Sequence, residues 1–339
     1  MRFWITCAFG SLFIQGNAQF EKLEASARKA LALDKPYKAL TLTDRALSKK
    51  GAPEVFHLLR AEAYNRIGSY REARAQLQLA PSMKATPDYR TNLIGSFTGL
   101  GLLDSAEALV LPAIPTDASE EYLYRAGRVL FLRERWPTAL GHFQAGAERN
   151  PSSPRMIRER GACYAMLGDT AKAMIDLDRA IQLAPRDPAG YNSRGYFRYM
   201  RSGHYAKAIA DMDKAIKQDP NYGFAFSNRG WSYYQLGDTA KAQRDLTLAV
   251  RKNPTNAYAY RSLGIIDLAQ GQQVTGCAHL RKALELGFTA TYGSEVEELL
   301  PRQCPNAVEP LPTPNEPVAP TSPPSNAPNA PAKPRSNAP

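Results

Sequence analysis

The chain has 339 residues, 44% of them apolar, with four cysteines and a formal net charge of +11. Past the first residues no stretch is long and apolar enough to span a bilayer, which takes about 20, and nothing is spaced like a zinc site. A positive balance of this size draws nucleic acid or acidic surfaces, but no nucleic-acid-binding motif accompanies it, and nucleic acid is set aside as a partner.

Met1-Arg2 is followed by an apolar stretch from Phe3 to Ile14, then by Gly16-Asn17-Ala18. A basic start, a short apolar region and small residues at −3 and −1 of a cut after Ala18 predict a signal peptide over residues 1–18. The mature chain would then begin at Gln19, in the periplasm or outside the cell. The alternative is an uncleaved first helix.

From there a small residue recurs at Ala27, Ala61, Ile94, Gly127, Gly161, Gly195, Gly230 and Gly264, with only Ile94 breaking the rule. The steps are 34, 33, 33, 34, 34, 35 and 34 residues. A second ladder runs Ala39, Ala73, Ala106, Ala139, Ala173, Ala208, Ala242, Gly276, and a third Ala46, Ala80, Ala113, Gly146, Ala180, Ala215, Ala249, Ala283. Small residues at fixed spacing mark helix crossings too close for a large side chain, and a period near 34 is that of a helix–turn–helix solenoid. One unit shows why. Met156, Ile157, Gly161, Tyr164 and Leu167 fall at helical spacing, Gly168-Asp169 breaks the helix, Ala173 to Ile181 resumes it, and Pro185 ends it. The class is therefore all-α, an α-α superhelix of about eight helix pairs.

Pro112 and Pro115 interrupt the second helix of the third unit. They divide a divergent part, residues 19–119, from a regular part, residues 120–288, with a change of curvature expected near 112–119. In the regular part Phe226, Gly230, Tyr233, Ala242, Leu246, Ala249 and Pro254 take the spacing W-x2-L-G-x2-Y…A-x3-F…A…P, and Gly161/Tyr164/Ala173/Leu177/Ala180/Pro185 and Tyr191/Gly195/Ala208/Met212/Ala215/Pro220 follow it. This resembles the tetratricopeptide repeat (TPR) family, over about eight units from Gln19 to Phe288. The resemblance implies a right-handed superhelix whose first helices line a concave groove that binds protein segments.

Three units place an arginine before the crossing glycine and an aspartate 16 or 17 residues later: Arg160/Asp176, Arg194/Asp211 and Arg229/Asp245. Both members are lost together where Ala126 faces His142 and where Leu263 faces His279, as an interacting pair requires. Arg60 with Gln76 is a counterexample. These pairs are read as structural clips, similar to those of an arginine-glycine variant of the repeat. By the TPR arrangement, units six to eight turn Asn192, Tyr196, Tyr199, Phe224, Ser227, Trp231, Tyr234, Tyr258 and Arg261 into the groove. Units four and five add Tyr124, Arg128, Arg155 and Arg158. One end would be aromatic and the adjoining stretch basic, both hot-spot chemistries. Packing in the core is the alternative for Trp231 and Tyr234, and one extra residue before Gly203 puts the register of Tyr199 in question. Tyr164, Tyr191, Phe226, Tyr233 and Tyr260 are assigned to the core.

Export would leave Cys163, Cys277 and Cys304, an odd count that suggests one pair and one buried thiol. Cys163 sits inside a strong repeat as a small core residue. Cys277 and Cys304 flank the last helix pair and an amphipathic capping segment, residues 289–304, and a bridge between them would tie that cap down. From Pro305 to Pro339 twelve prolines fall among Ala, Asn and Ser, a composition that predicts a disordered tail. His57, His142, His204 and His279 are scattered, no phosphate loop or nucleophile motif is present, and no cofactor is expected. The reading is a non-enzymatic scaffold that binds a peptide or protein segment in its groove. An architectural spacer of an envelope complex and an accessory domain of an enzyme are the alternatives.

Overall fold

A computed structural model describes residues 5–289 and 293–304, with side chains from residue 18 onward. The expected signal sequence falls partly, and the proline-rich tail wholly, outside what is described. Helices follow one another as α1 (Ile5–Ala32), α2 (Pro36–Leu47), α3 (Val55–Arg66), α4 (Tyr70–Gln78), α5 (Pro87–Gly99), α6 (Leu103–Glu107), α7 (Glu120–Leu132) and α8 (Trp136–Arg149). They continue as α9 (Pro154–Met166), α10 (Thr170–Leu183), α11 (Pro188–Arg194), α12 (Tyr205–Gln218), α13 (Gly223–Gln235), α14 (Thr239–Lys252), α15 (Ala257–Ala269), α16 (Gln273–Glu285) and α17 (Glu295–Gln303). Successive pairs pack against each other and against the next pair, which is the connectivity of a solenoid. Among the described residues there is no strand and no helix long and apolar enough to cross a membrane.

The small-residue ladders are the crossings. Ala27, Ala61, Ile94, Ala39, Ala73, Ala106, Ala208 and Ala242 have no exposed surface. Between α15 and α16 the approach is reciprocal: a Cβ on Gly264 would lie 2.9 Å from the carbonyl oxygen of Gly276, and one on Gly276 3.0 Å from that of Gly264. Neither backbone could yield to a larger side chain. Ala113 does not belong to its ladder. α6 stops after five residues at Glu107, and Ala113 lies exposed beside Pro112, which cannot continue a helix. The break is bridged from both sides, since the Leu111 N–H donates to the Tyr122 hydroxyl at 3.0 Å and Arg149 donates to the carbonyl oxygens of Pro115 and Ala118. One buried cluster runs through it, from Ile94 and Ala106 to Phe143, Met156 and Ala180, so residue 119 is not a boundary in the core.

The turn inside each unit has a residue with positive φ, at Asp34, Gly68, Gly101, Glu134, Gly168, Gly203, Gly237 and Gly271. This left-handed residue ends a helix and lets the next N–H bond back to it, as Asp169 does to the Tyr164 carbonyl at 2.9 Å. The extra residue of the sixth unit is absorbed just upstream of Gly203. Gly195–Met200 is a π-helical turn, in which the Arg201 N–H reaches the Tyr196 carbonyl five residues back.

At the far end Cys277 and Cys304 are joined by a disulfide, with Cα atoms 5.7 Å apart. It holds α17 against α16, where Val296 and Phe288 bury themselves beside Leu280 and Ala283. Cys163 is a buried free thiol pushed up to about 12, chiefly by burial and then by the neighbouring Glu159 carboxylate.

Candidate binding cleft

The first helices of the pairs set their side chains by position relative to the crossing residue. Three residues before it stand Tyr124, Arg158, Asn192 and Ser227, and all four line one cleft of about 690 Å³. Six before it stand Ala189, Phe224 and Tyr258, which also line it. Phe131, Trp136, Phe197 and Tyr222 complete an aromatic wall drawn from α7, α8 and the π-turn and from the α12–α13 connection. Its rings meet edge to face: Phe197 lies 6.1 Å from Phe131 and 4.9 Å from Tyr196, a preferred geometry for aromatic pairs. Phe224 is 43% exposed and so can touch a ligand at little cost to the fold.

The asparagines carry the polar part. Asn228 donates to Asn192 Oδ1 at 2.9 Å, and Asn256 to Ser227 Oγ at 3.2 Å. Asn228 belongs to a polar ladder two residues before the crossings of units three to eight, at Asn92, Arg125, Glu159, Ser193, Asn228 and Ser262, all buried except half-buried Ser193. Its N-terminal end is sealed. Asn65 donates to Asn92, Ser96 to Asn65, and Arg125 to both Asn92 Oδ1 and the Thr91 carbonyl at 3.1 Å.

The basic stretch expected between units four and five is neutralised where it stands. Arg128 meets Glu159 at 3.1 Å, Arg158 meets Asp187 at 3.1 Å and Glu159 at 3.2 Å, and Arg155 meets Glu121 at 2.9 Å while lying 4.3 Å over the Tyr124 ring. Burial works to raise the Glu159 carboxyl, but Arg128 and Arg158 outweigh it and hold it below the usual carboxylate range. Glu121 is likewise held at about 2, where Arg125 and Arg155 overcome its burial. Burial pushes the Tyr222 hydroxyl up to about 12.

Five expected groove residues stand outside the cleft, each held by other contacts. Tyr199 is turned away by the π-helical register, which brings Phe197 into the cleft instead; Tyr199 packs beside Met200 under the Arg198 guanidinium. Arg155 is the second, engaged as above. Trp231, Tyr234 and Arg261 form a neighbouring cluster, with Trp231 5.3 Å from Tyr234 and the Arg261 guanidinium 4.3 Å over the indole. Arg261 Nε also donates to Glu295 on α17 at 2.9 Å. The cluster adjoins the cleft through Tyr258, 6.4 Å from Trp231. Of the tyrosines assigned to the core, Tyr164 and Tyr233 are half-buried, each under a lysine, Lys172 or Lys241; Phe226 is buried.

Each clip is a forked ion pair: Arg160 to Asp176 at 2.7 and 2.8 Å, Arg194 to Asp211 at 2.7 and 2.6 Å, Arg229 to Asp245 at 2.7 and 2.9 Å. Two of these arginines reach a second aspartate in the preceding unit, Arg194 to Asp178 at 2.9 Å and Arg229 to Asp213 at 2.6 Å. That explains Arg60. It lacks the clip within its unit but keeps the link to the unit before, meeting Asp44 at 2.9 Å. In the units without clips, His142 Nδ1 lies 3.1 Å from the Thr138 carbonyl and His279 Nδ1 2.7 Å from Asp267. Among the described residues no group of His, Cys, Asp and Glu could hold a metal.

Family models described as tetratricopeptide repeat match residues 124–188, 191–222 and 223–256. The chain is 31% identical over 86 residues to Hsp70-Hsp90 organizing protein 3 of Arabidopsis thaliana, covering 25% of this chain and 15% of that protein. It is 30% identical over 74 residues to the Hsp70-Hsp90 organizing protein of Triticum aestivum, covering 22% and 13%. Only a small part of each relative's length is therefore matched. Among solved structures, the APC/C hetero-tetramer Cut9-Hcn1 aligns with a TM-score of 0.60 at 13% identity, over 81% of this chain and 55% of that one, a likeness of fold.

Proposed function

The chain belongs to the tetratricopeptide repeat family, and from that premise we propose that it is a non-enzymatic scaffold whose concave cleft holds an extended segment of a partner protein. The observation that carries the reading is the convergence of aromatic rings from several helix pairs on one cleft, with asparagine amides between them. Rings supply buried contact area with little side-chain entropy to lose, and amides both donate to and accept from a peptide backbone. A helical solenoid presents this surface pre-formed, so the ordering cost falls on the ligand. A spacer would have no need to gather its aromatic side chains in one place. The relatives' names describe the organising of other proteins, and only that coarse role is carried over.

Export is part of the proposal. The small residues ahead of Gln19 suit cleavage after Ala18, and beyond that point Leu23, Ala27, Ala30 and Leu31 join α1 to the core. A Cys277–Cys304 bridge suits an oxidising compartment. Intact-mass measurement of protein recovered from the envelope should give a chain beginning at Gln19; a mass that includes residues 1–18 would place the site of action elsewhere. For the cleft, peptides selected from a display library on the full chain should lose affinity for Phe224→Ala and Tyr196→Ala. Unchanged binding by both variants would remove the cleft from the function.

A further inference from the structure

We propose that the cleft takes an uncharged, proline-rich extended segment, and that residues 317–332 of this chain's own tail occupy it in cis. The proposal rests on the reading of the cleft as a peptide site.

Charge comes first. Arg128, Arg158 and Arg201 line the cleft with Glu134 and Glu159, and Asp187 on Arg158 makes up the balance. These charges cancel in number, so the cleft itself has no surplus charge with which to pair an acidic or a basic ligand. Its remaining chemistry is aromatic faces and hydrogen-bond donors. Proline rings pack well on aromatic faces, and aromatic-lined grooves are a recurrent way to hold proline-rich segments. A proline-rich backbone is short of N–H groups and rich in carbonyls, so it wants donors. The bond from Asn228 uses the amide oxygen of Asn192 and leaves its amide nitrogen to donate.

The tail supplies the matching segment. From Pro317 to Ala332 it contains no charged residue and six prolines, flanked by Glu316 and Lys333. It is also tethered beside the cleft. Glu295, at the start of α17, holds Arg261, whose guanidinium lies 5.7 Å over the ring of Tyr258 in the cleft. The nine-residue α17 is about 13 Å long, and its end is fixed by the disulfide at Cys304. Residues 305–316 span up to about 37 Å at ~3.1 Å each, enough to return to the cleft. A segment so tethered competes at an effective concentration in the millimolar range.

The test uses a fluorescein-labelled peptide of residues 315–334 and two full-length chains, one unaltered and one with serine at positions 317, 320, 323, 324, 328 and 331. Anisotropy should show the peptide binding the serine chain, and binding the unaltered chain about tenfold more weakly because the tail is in the way. Raising the salt to 0.5 M should change either affinity less than twofold. No binding to the serine chain, or equal binding to both, overturns the proposal. A concentration-dependent dimer that only the unaltered chain forms also overturns it, by moving the occupant to a second copy. If library peptides bind the serine chain through Phe224 while the tail peptide does not, the cleft keeps its function and the tail loses this role.

Discussion

The groove has two halves built on the same positions of the same repeat, and they differ in what fills them. Along α3, α5 and α7, Asn65, Asn92, Ser96 and Arg125 are buried and bonded to one another. From α7 to α15 those positions open into a cleft walled by half-buried rings. The first half spends its polar groups on itself, whereas the second holds them at a surface that something else can reach. Repeat geometry therefore decides where a site can be, and only side-chain content decides whether one is there.

The sharpest way to test that difference is to cut the sealed half. Arg125→Ala should leave half-buried Glu121 with Arg155 alone and buried Asn92 with Asn65 alone, at a cost of about 3 kcal/mol, the low end for a broken buried pair, with library-peptide affinity unchanged once folded protein is compared. A denaturant midpoint within 1 kcal/mol of the parent would mean that the polar ladder is not what holds this half together. Within the open half, Asp211→Ala should cost about 3 kcal/mol by leaving Arg194 half-buried and lacking its forked partner. Arg194→Leu/Asp211→Leu should cost less, because two apolar side chains can pack together. The reverse ranking in urea melts would show that the pair is not a buried unit.

Phe224→Ala should do the opposite of Arg125→Ala. Peptide affinity should drop by ~2 kcal/mol, roughly thirtyfold, while the thermal midpoint hardly moves, since the ring is exposed. An equal loss of stability would place Phe224 in the core. The smallest effect concerns acid. Glu121 is held at about 2 in the folded chain and near the ordinary carboxylate value of about 4.3 when unfolded. Its contribution is complete above the unfolded value and disappears as the pH falls towards 2. The gap in stability between parent and Glu121→Gln, about 1–2 kcal/mol after discounting for solvent screening, should close over that range. A gap that stays constant down to pH 2 would detach the carboxylate from its arginines.

Much of this was legible in the sequence because a repeat states each rule several times. The small-residue ladders gave the crossings, the inward positions three and six before them gave seven of the twenty-one residues that line the cleft, and the joint loss of Arg and Asp gave the clips. Phe131 follows from the same inward rule, four residues after Gly127. What was hidden is whatever depends on a second chain element arriving at the same place. Glu121, Glu159 and Asp187 neutralise the arginines across helix pairs, and no spacing along one helix reveals that. Ala113 failed because a proline ended its helix early, and Tyr199 because a π-turn used up the extra residue. In both, local backbone chemistry overrode the period.

The two-handed arginines have a mechanical consequence. Arg194 and Arg229 each grip their own unit and the one before, so α10 to α14 are riveted into a single beam. Between α7 and α8 there is no such rivet, since Ala126 and His142 stand in its place. That joint lies under the end of the cleft where Tyr124, Arg128 and Phe131 are mounted. A load that spreads the cleft should therefore be taken up at such unriveted joints, while α10 to α14 stay stiff.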